Sequence, residues 1–255
     1  MDRLIPFDGI RNFRRFGLYV GRDGRTMRDG LYRSGHFSRA SEADKRALQA
    51  FGLTHITDLR RPQEREREPS NWDNKFGVRV IESDIAGHKE APHMAFLREG
   101  DHSMTGIRNF MLATYRRLPF DKGNQKMFAA GLRSLGDPKT DGFVVHCAAG
   151  KDRTGIFCAL AQSIAGVDRD AIYEDYLMTN SAVDYDAIIP EIASVIEDNY
   201  GRQIPPEEMR LFLGVDADYL DQAFDAMGDP KAYIHDALGL TEDEWKSAEQ
   251  HLLVS

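Results

Sequence analysis

Residues 145–155 read Val145-His146-Cys147-Ala148-Ala149-Gly150-Lys151-Asp152-Arg153-Thr154-Gly155. The run before them, Gly142-Phe143-Val144-Val145, has the length and apolar content of a buried strand, and Gly155 to Ala165 is apolar and helix-compatible. A strand, a loop of small residues and a helix start are therefore expected in direct succession. Such a turn presents unpaired backbone N–H groups, reinforced by the positive end of the helix dipole. Ala148, Ala149 and Gly150 are small enough to let those groups converge, with those of Lys151 and Asp152, on one tetrahedral anion. Arg153 supplies a planar fork for two phosphate oxygens. Cys147 lies where its sulfur attacks phosphorus in line.

The nucleophile in such chemistry is a thiolate. An ordinary cysteine titrates near about 8.5, and a helix N-terminus with a nearby guanidinium lowers that value. Full ionisation raises the reactive fraction roughly thirtyfold, which is modest beside charge stabilisation by the N–H groups and Arg153. A thiolate needs no base, so His146 is expected to hold the loop through hydrogen bonds. Thr154 is expected to donate its hydroxyl to the departing thiolate when a phosphocysteine is hydrolysed. A bare Cys-x5-Arg also fits a buried cysteine that happens to precede an arginine. The His, Gly and Thr and the strand–helix flanks are independent additions that favour catalysis.

The segment resembles the signature of cysteine-dependent protein tyrosine phosphatases. Lys151 at its loop position resembles phosphoinositide 3-phosphatases, and Asp152-Arg153-Thr154 resembles myotubularin-type lipid phosphatases. The two together are similar to bacterial and fungal tyrosine/lipid phosphatases of the mycobacterial protein tyrosine phosphatase B type. Three further stretches carry the likeness: Gly30 to Gly35, Phe51-Gly52-Leu53 through Asp58-Leu59-Arg60, and Gly214 to Leu220. The match spans most of the chain. It implies a metal-independent hydrolase with a helical lid.

Cleavage of a phosphate ester also needs a proton for the leaving oxygen. Two aspartates are candidates. Asp58 ends an expected strand, so it projects at the sheet edge where the catalytic loop emerges, and the resemblance matches it to the family's Asp-Leu-Arg aspartate. Asp152 matches the family's loop aspartate. No Trp-Pro-Asp loop is present; Trp72-Asp73 lacks the proline and reads as a surface pair. Asp58 is slightly favoured, against a reading in which it merely pairs with Arg60 or Arg61; Asp84 is a weaker third choice.

With 255 residues, 42% of them hydrophobic, the chain can bury one good-sized core, and one domain over 1–255 is expected. A formal net charge of −8 argues against nucleic acid as a general partner. Attraction for phosphate esters must then be local, from Arg60, Arg61, Lys151 and Arg153, while Glu64 to Glu68 reads as a solvated mixed-charge face. No run of about twenty apolar residues suggests membrane insertion, and Met1 to Phe16 does not read as a secretory signal. Two cysteines make no disulfide framework, so a cytoplasmic location is expected, with signal-less export left open. Cys158 reads as a packed bystander. No metal-ligand spacing stands out, no cofactor is expected, and His88 and His93 read as exposed loop residues.

Ser41-Glu42-Ala43-Asp44 reads as a capped helix start and Gly52 follows its end. Strands are expected at Thr54 to Leu59 and Val78 to Ile81, after a β-rich opening over 17–35. Residues 86–105 lack a clear period and read as a long excursion; 86–119 is the lid candidate. Helices are expected over 107–119 and 125–135. After the loop they are expected near 168–179, 184–200, 206–213, 216–227, 230–238 and 241–253. The fold class is α/β: a central phosphatase-like sheet flanked by helices, with a helical portion over 200–255. The activity expected is hydrolysis of phosphotyrosine proteins through a phosphocysteine, with tolerance for phosphoserine/threonine and phosphoinositides. Inorganic phosphate or another oxyanion is expected in the catalytic loop. The competing readings are a phosphate-binding module with weak turnover and an inositol polyphosphate phosphatase, the latter poorly matched by an acidic chain.

Overall fold

The computed structural model describes residues 3–71, 77–85 and 92–255. Seven strands form among the described residues: β1 Arg14–Arg15, β2 Thr26–Met27, β3 Leu31–Ser34, β4 Leu53–Asp58, β5 Arg79–Glu82, β6 Gly142–His146 and β7 Leu253–Val254. Five of them build the main sheet in the order β1-β3-β6-β4-β5, with β3, β6, β4 and β5 parallel and β1 antiparallel at one edge. β6 is central and buried along its whole length. Phe143 and Val145 enter one apolar core, and Val144 points to a second on the opposite face with Tyr32, Leu48 and Ile56. Burial on both faces is what an unbroken apolar run in a parallel strand produces.

Before β6 lie α1 Glu42–Gln49, α2 Pro62–Arg67, α3 Pro92–Glu99, α4 Met104–Arg117 and α5 Lys122–Leu135. After it come α6 Asp152–Ile164, α7 Arg169–Leu177, α8 Thr179–Ala182, α9 Tyr185–Tyr200, α10 Pro206–Leu213, α11 Ala217–Met227, α12 Pro230–Asp236 and α13 Glu242–Leu252. The expected box at Ser41 is present, with the side chains of Ser41 and Asp44 each accepting the other's backbone N–H.

One expectation is corrected. Residues 92–99 are not part of an irregular excursion but form α3, whose Phe96 stacks on Phe110 of α4 at 4.1 Å between centroids. Phe212 of α10 completes the stack, 6.0 Å from Phe96 and 6.2 Å from Phe110. The aromatic contacts of α3 come from the adjoining α4 and from α10, which is far off in sequence. Trp72, Asp73 and His88 lie outside the described residues.

Parallel register sets the site. Ser34 and Asp58 both stand opposite His146, and Glu82 stands opposite Asp58, so the C-terminal ends of four strands share one sheet edge. The chain leaves β6 at that edge, runs through the catalytic loop and enters α6.

Candidate active site

Cys147 to Lys151 link β6 to α6 as the sequence requires, and Cys147, Ala148, Ala149 and Lys151, with Asp152 and Arg153 of the first turn of α6, line a cavity of about 370 Å³. The loop's carbonyls have fixed partners. Ala148 O accepts the His36 N–H at 3.0 Å, and Ala149 O accepts Asn12 Nδ2 at 3.2 Å. Gly150 O accepts both Asn12 Nδ2 at 3.0 Å and Arg33 Nη2 at 3.1 Å. With these carbonyls committed, the N–H groups of Ala148, Ala149, Gly150 and Lys151 have no acceptor among the described residues. That leaves an anion nest at a helix N-terminus. Gly150 makes the turn at φ +70°, and a Cβ there would come within 2.3 Å of the Ser34 oxygen.

A buried charge cluster supports the loop. Arg33 donates to Asp175 Oδ2 at 2.6 Å, and Arg14 donates to the Asp175 backbone oxygen at 2.9 Å and to Thr179 Oγ1 at 3.1 Å. Two guanidiniums thus share one carboxylate, all fully buried. Burial, with Arg33 adding to it, lowers the Arg14 pKa to about 10, while Asp175 outweighs burial and raises that of Arg33. The uncompensated positive charge lies directly under the loop, where it favours a bound anion.

Arg153 is held by Glu64, so this end of the run 64–68 is not the solvated face its alternating charges suggest. Arg153 Nη1 and Nη2 each donate to a Glu64 carboxylate oxygen at 2.7 Å, and Nη1 also donates to Leu59 O at 3.1 Å. Among the described residues its Nε–H and one Nη2–H have no acceptor and are available to an oxyanion. Burial alone would raise the Glu64 pKa, but Arg153 outweighs it and brings the carboxyl down to about 2. Arg65 is likewise not a surface charge, since it donates to Arg60 O at 2.7 Å and Ser83 O at 2.5 Å. Glu66 and Arg67 are exposed as expected.

The two aspartates part company. Asp58 is buried and closed by Arg60, which donates its backbone N–H and Nε to Oδ1 at 2.9 and 3.0 Å and Nη2 to Oδ2 at 2.8 Å. Burial would raise its pKa, but nearby His146 and the Arg60 guanidinium hold it below the usual carboxylate range. Asp58 does not line the cavity; Asp152 does. The Tyr115 hydroxyl donates to Asp152 Oδ1 at 2.7 Å, and the Tyr176 hydroxyl donates to Tyr115 at 2.7 Å. Asp58 stands at the sheet edge as expected, but Arg60 occupies its carboxylate and it lies outside the cavity lining, whereas Asp152 lies within it. Arg60 itself is spent on Asp58, Glu68 O and Ser70 Oγ. Asp84 is exposed and paired with Lys126 at 2.6 Å.

His146 is buried, with Nδ1 3.3 Å from Cys147 O, and burial lowers its pKa, which suits a neutral ring that positions the loop. Thr154 is buried and its hydroxyl has no partner among the described residues. Lys151 lines the cavity, yet its Nζ donates to Phe212 O at 2.7 Å and Gly214 O at 3.1 Å, at the end of α10. Arg61 lines the cavity and pairs with Asp121 at 3.2 Å. His93 is exposed as expected, but it belongs to α3 rather than to a loop and lines the same cavity. Phe110, Met111, Phe120, Phe212 and Leu213 give the cavity an apolar side opposite the loop. Cys158 is packed in α6, and burial pushes its thiol up to about 12, so it is inert at neutral pH. No cluster fit to hold a metal ion occurs among the described residues, and no helix there is long and apolar enough to cross a membrane.

A cysteine in an anion nest with a positioned arginine is the arrangement that phosphate-monoester hydrolysis through a phosphocysteine requires. The sequence pattern of the tyrosine phosphatase family matches residues 5–254, and the chain belongs to that family. It is 33% identical, over 92% of its length and 84% of the relative's, to a protein of Cupriavidus necator named as a tyrosine-protein phosphatase. It is 29% identical, over 92% of its length and 93% of the relative's, to the triple specificity protein phosphatase PtpB of Mycobacterium tuberculosis. Among solved structures, the core catalytic domain of the PP-IP phosphatase SIW14 from S. cerevisiae is 16% identical with a TM-score of 0.35, covering 77% of this chain and 96% of that one. Glu64, Asn12, Arg14, Asp175 and Tyr176 are site-supporting residues that sequence reasoning missed. Arg33 lies inside one of the stretches that carried the resemblance, which was the only signal for it.

Proposed function

We propose that this phosphatase hydrolyses phosphotyrosine in proteins by two in-line displacements at Cys147, and accepts phosphoserine/threonine and phosphoinositides as well. The thiolate of Cys147 attacks phosphorus, the ester oxygen leaves with a proton from Asp152, and phosphate is transferred to sulfur. Water then attacks the phosphocysteine, giving its proton to the Asp152 carboxylate, and Thr154 stabilises the departing thiolate. Arg153 and the N–H groups of residues 148–151 bind the transferring phosphoryl oxygens, whose charge grows in the transition state. The observation that carries this reading is that the N–H groups of residues 148–151, beside Cys147, have no acceptor among the described residues, while the loop carbonyls are held by His36, Asn12 and Arg33. The breadth of substrate is supported by the name of the mycobacterial relative, a triple specificity protein phosphatase.

The chain works as one domain, with α3, α4 and α10 as a cover over the site joined by the Phe96, Phe110 and Phe212 stack. Its partners are phosphorylated substrates and the phosphate released, in the cytoplasm.

The test is vanadate-sensitive hydrolysis of an aryl phosphate, alongside phosphate release from phosphopeptides and phosphoinositides. Cys147→Ser is expected to abolish turnover and keep oxyanion binding, because a serine hydroxyl stays protonated while the N–H groups remain. More than a trace of vanadate-sensitive activity in that variant sinks the mechanism.

A further inference from the structure

A second cavity of about 340 Å³ lies on the other side of the catalytic loop, sharing Ala148, Ala149, Lys151 and Leu213 with the first. Its charged rim is made by Arg11, ahead of β1, and Arg39, ahead of α1. The two loops are pinned to the body. Gly35 N donates to Arg11 O at 2.8 Å, and Asp44 accepts the N–H groups of Asp8, Gly9 and Ser41 at 2.8 to 2.9 Å. Gly9 lies so close to Arg39 that a Cβ on it would come within 1.7 Å of the Arg39 oxygen.

Into this rigid pair reaches one carboxylate, Glu191 of α9. Arg39 donates to Oε1 at 2.9 Å and Arg11 to Oε2 at 3.3 Å, so each oxygen has its own guanidinium. Both arginines and the glutamate are about half exposed, at 58%, 46% and 46% of their side chains. Such pairs are weak and exchange readily for another carboxylate. Glu68, also at this cavity, is turned to His36 at 3.5 Å.

We propose that Arg11 and Arg39 form an accessory site for an acidic residue flanking the phosphorylated residue of a peptide substrate, with Glu191 as the internal carboxylate that the substrate displaces. The inference rests on the phosphatase reading above. A peptide is favoured over a lipid because the occupant in the structure is itself a peptide carboxylate held one oxygen to each arginine. A phosphotyrosine in the first cavity and its flanking acid in the second would lie across the loop residues common to both.

The experiment compares kcat/KM for two phosphotyrosine peptides that differ only in Glu against Gln beside the phosphotyrosine, with an aryl phosphate in parallel. Taking the ratio within each variant cancels any loss common to both peptides. The wild type is expected to favour the acidic peptide about three- to tenfold at low salt, and less at about 0.5 M salt. Arg11→Ala/Arg39→Ala should bring the ratio to about one, and Glu191→Gln should raise it by removing the competitor. If the double variant does not fold, Glu191→Gln carries the test alone. Equal use of both peptides by an enzyme that turns over the aryl phosphate overturns this inference and leaves the phosphatase reading standing. No turnover of the aryl phosphate overturns both. If the double variant instead loses a preference for a soluble phosphoinositide bisphosphate over the monophosphate, while the peptide ratio is unmoved, the site reads lipid phosphate and the peptide proposal falls.

Discussion

Glu64 presents both carboxylate oxygens to Arg153, each accepting a guanidinium N–H at 2.7 Å. The pair is largely buried, with side chains 14% and 18% exposed, so solvent screens it little. It fixes the plane of the guanidinium that must meet the phosphoryl oxygens. Glu64→Gln keeps the shape but removes the charge, and is expected to lower kcat/KM for every substrate alike, by about ten- to a hundredfold. Steady-state kinetics on an aryl phosphate and a phosphopeptide check this; a loss confined to one substrate class would contradict a common positioning role.

The same pair makes stability depend on acid. The Glu64 carboxyl falls from an ordinary 4.5 to about 2 in the folded state. Its stabilisation is then fully present above about 4.5 and is lost as pH falls through about 2. The amount is about 3 kcal/mol at most. Acid unfolding of the wild type should steepen within that window, and Glu64→Gln should flatten the curve there. Thermal midpoints measured from pH 5 down to pH 2 would show it.

Gly150→Ala tests the loop's backbone. The position has φ +70°, and the added Cβ would meet the Ser34 oxygen at 2.3 Å. The expected cost is about 1–3 kcal/mol of stability, read as a lower melting temperature, together with loss of oxyanion binding. A variant that melts later or binds vanadate as before would show that the loop can relax around the methyl group.

Much of this was legible because it is written locally. The Cys147 loop, its flanking strand and helix, the Ser41 cap and the order of helices after the loop all follow from spacing and capping within about a dozen residues. The side-chain pairings were not. Glu64 and Arg153 are 89 positions apart, and Glu64 sits in an alternating run of charges that looks solvated until α2 is placed against the loop. Asp58 and Arg60 are two positions apart, so their pairing is readable in the sequence, but the depth at which Arg60 is buried is a tertiary fact. Arg14 reads as a surface residue by type; only Asp175, 161 positions on, makes its burial tolerable.

Lys151 joins the loop to the cover by donating to Phe212 O and Gly214 O. Lys151→Ala removes both bonds, and closure of α10 should weaken by about 1–3 kcal/mol. Limited proteolysis between residues 200 and 216 should then run on the order of tenfold faster or more than in the wild type. Equal rates would mean that the aromatic stack alone holds α10 down.

Asp152 and Asp58 are separated by their response to the leaving group. An activated aryl phosphate expels a stable anion and needs no proton, whereas an alkyl phosphate expels a strongly basic oxygen. Asp152→Asn is therefore expected to slow alkyl phosphates by about 10²- to 10⁴-fold and the activated aryl ester far less. Asp58→Asn leaves Arg60 buried without its counter-charge, so it should lower the melting temperature and hurt both substrates together. Tyr115→Phe removes the hydroxyl that orients the Asp152 carboxyl and should reproduce part of the Asp152→Asn selectivity, with kcat on alkyl esters falling more than kcat on aryl esters. If Asp58→Asn instead gives the leaving-group selectivity and Asp152→Asn does not, the proton comes from the sheet edge and the assignment made from the cavity is wrong.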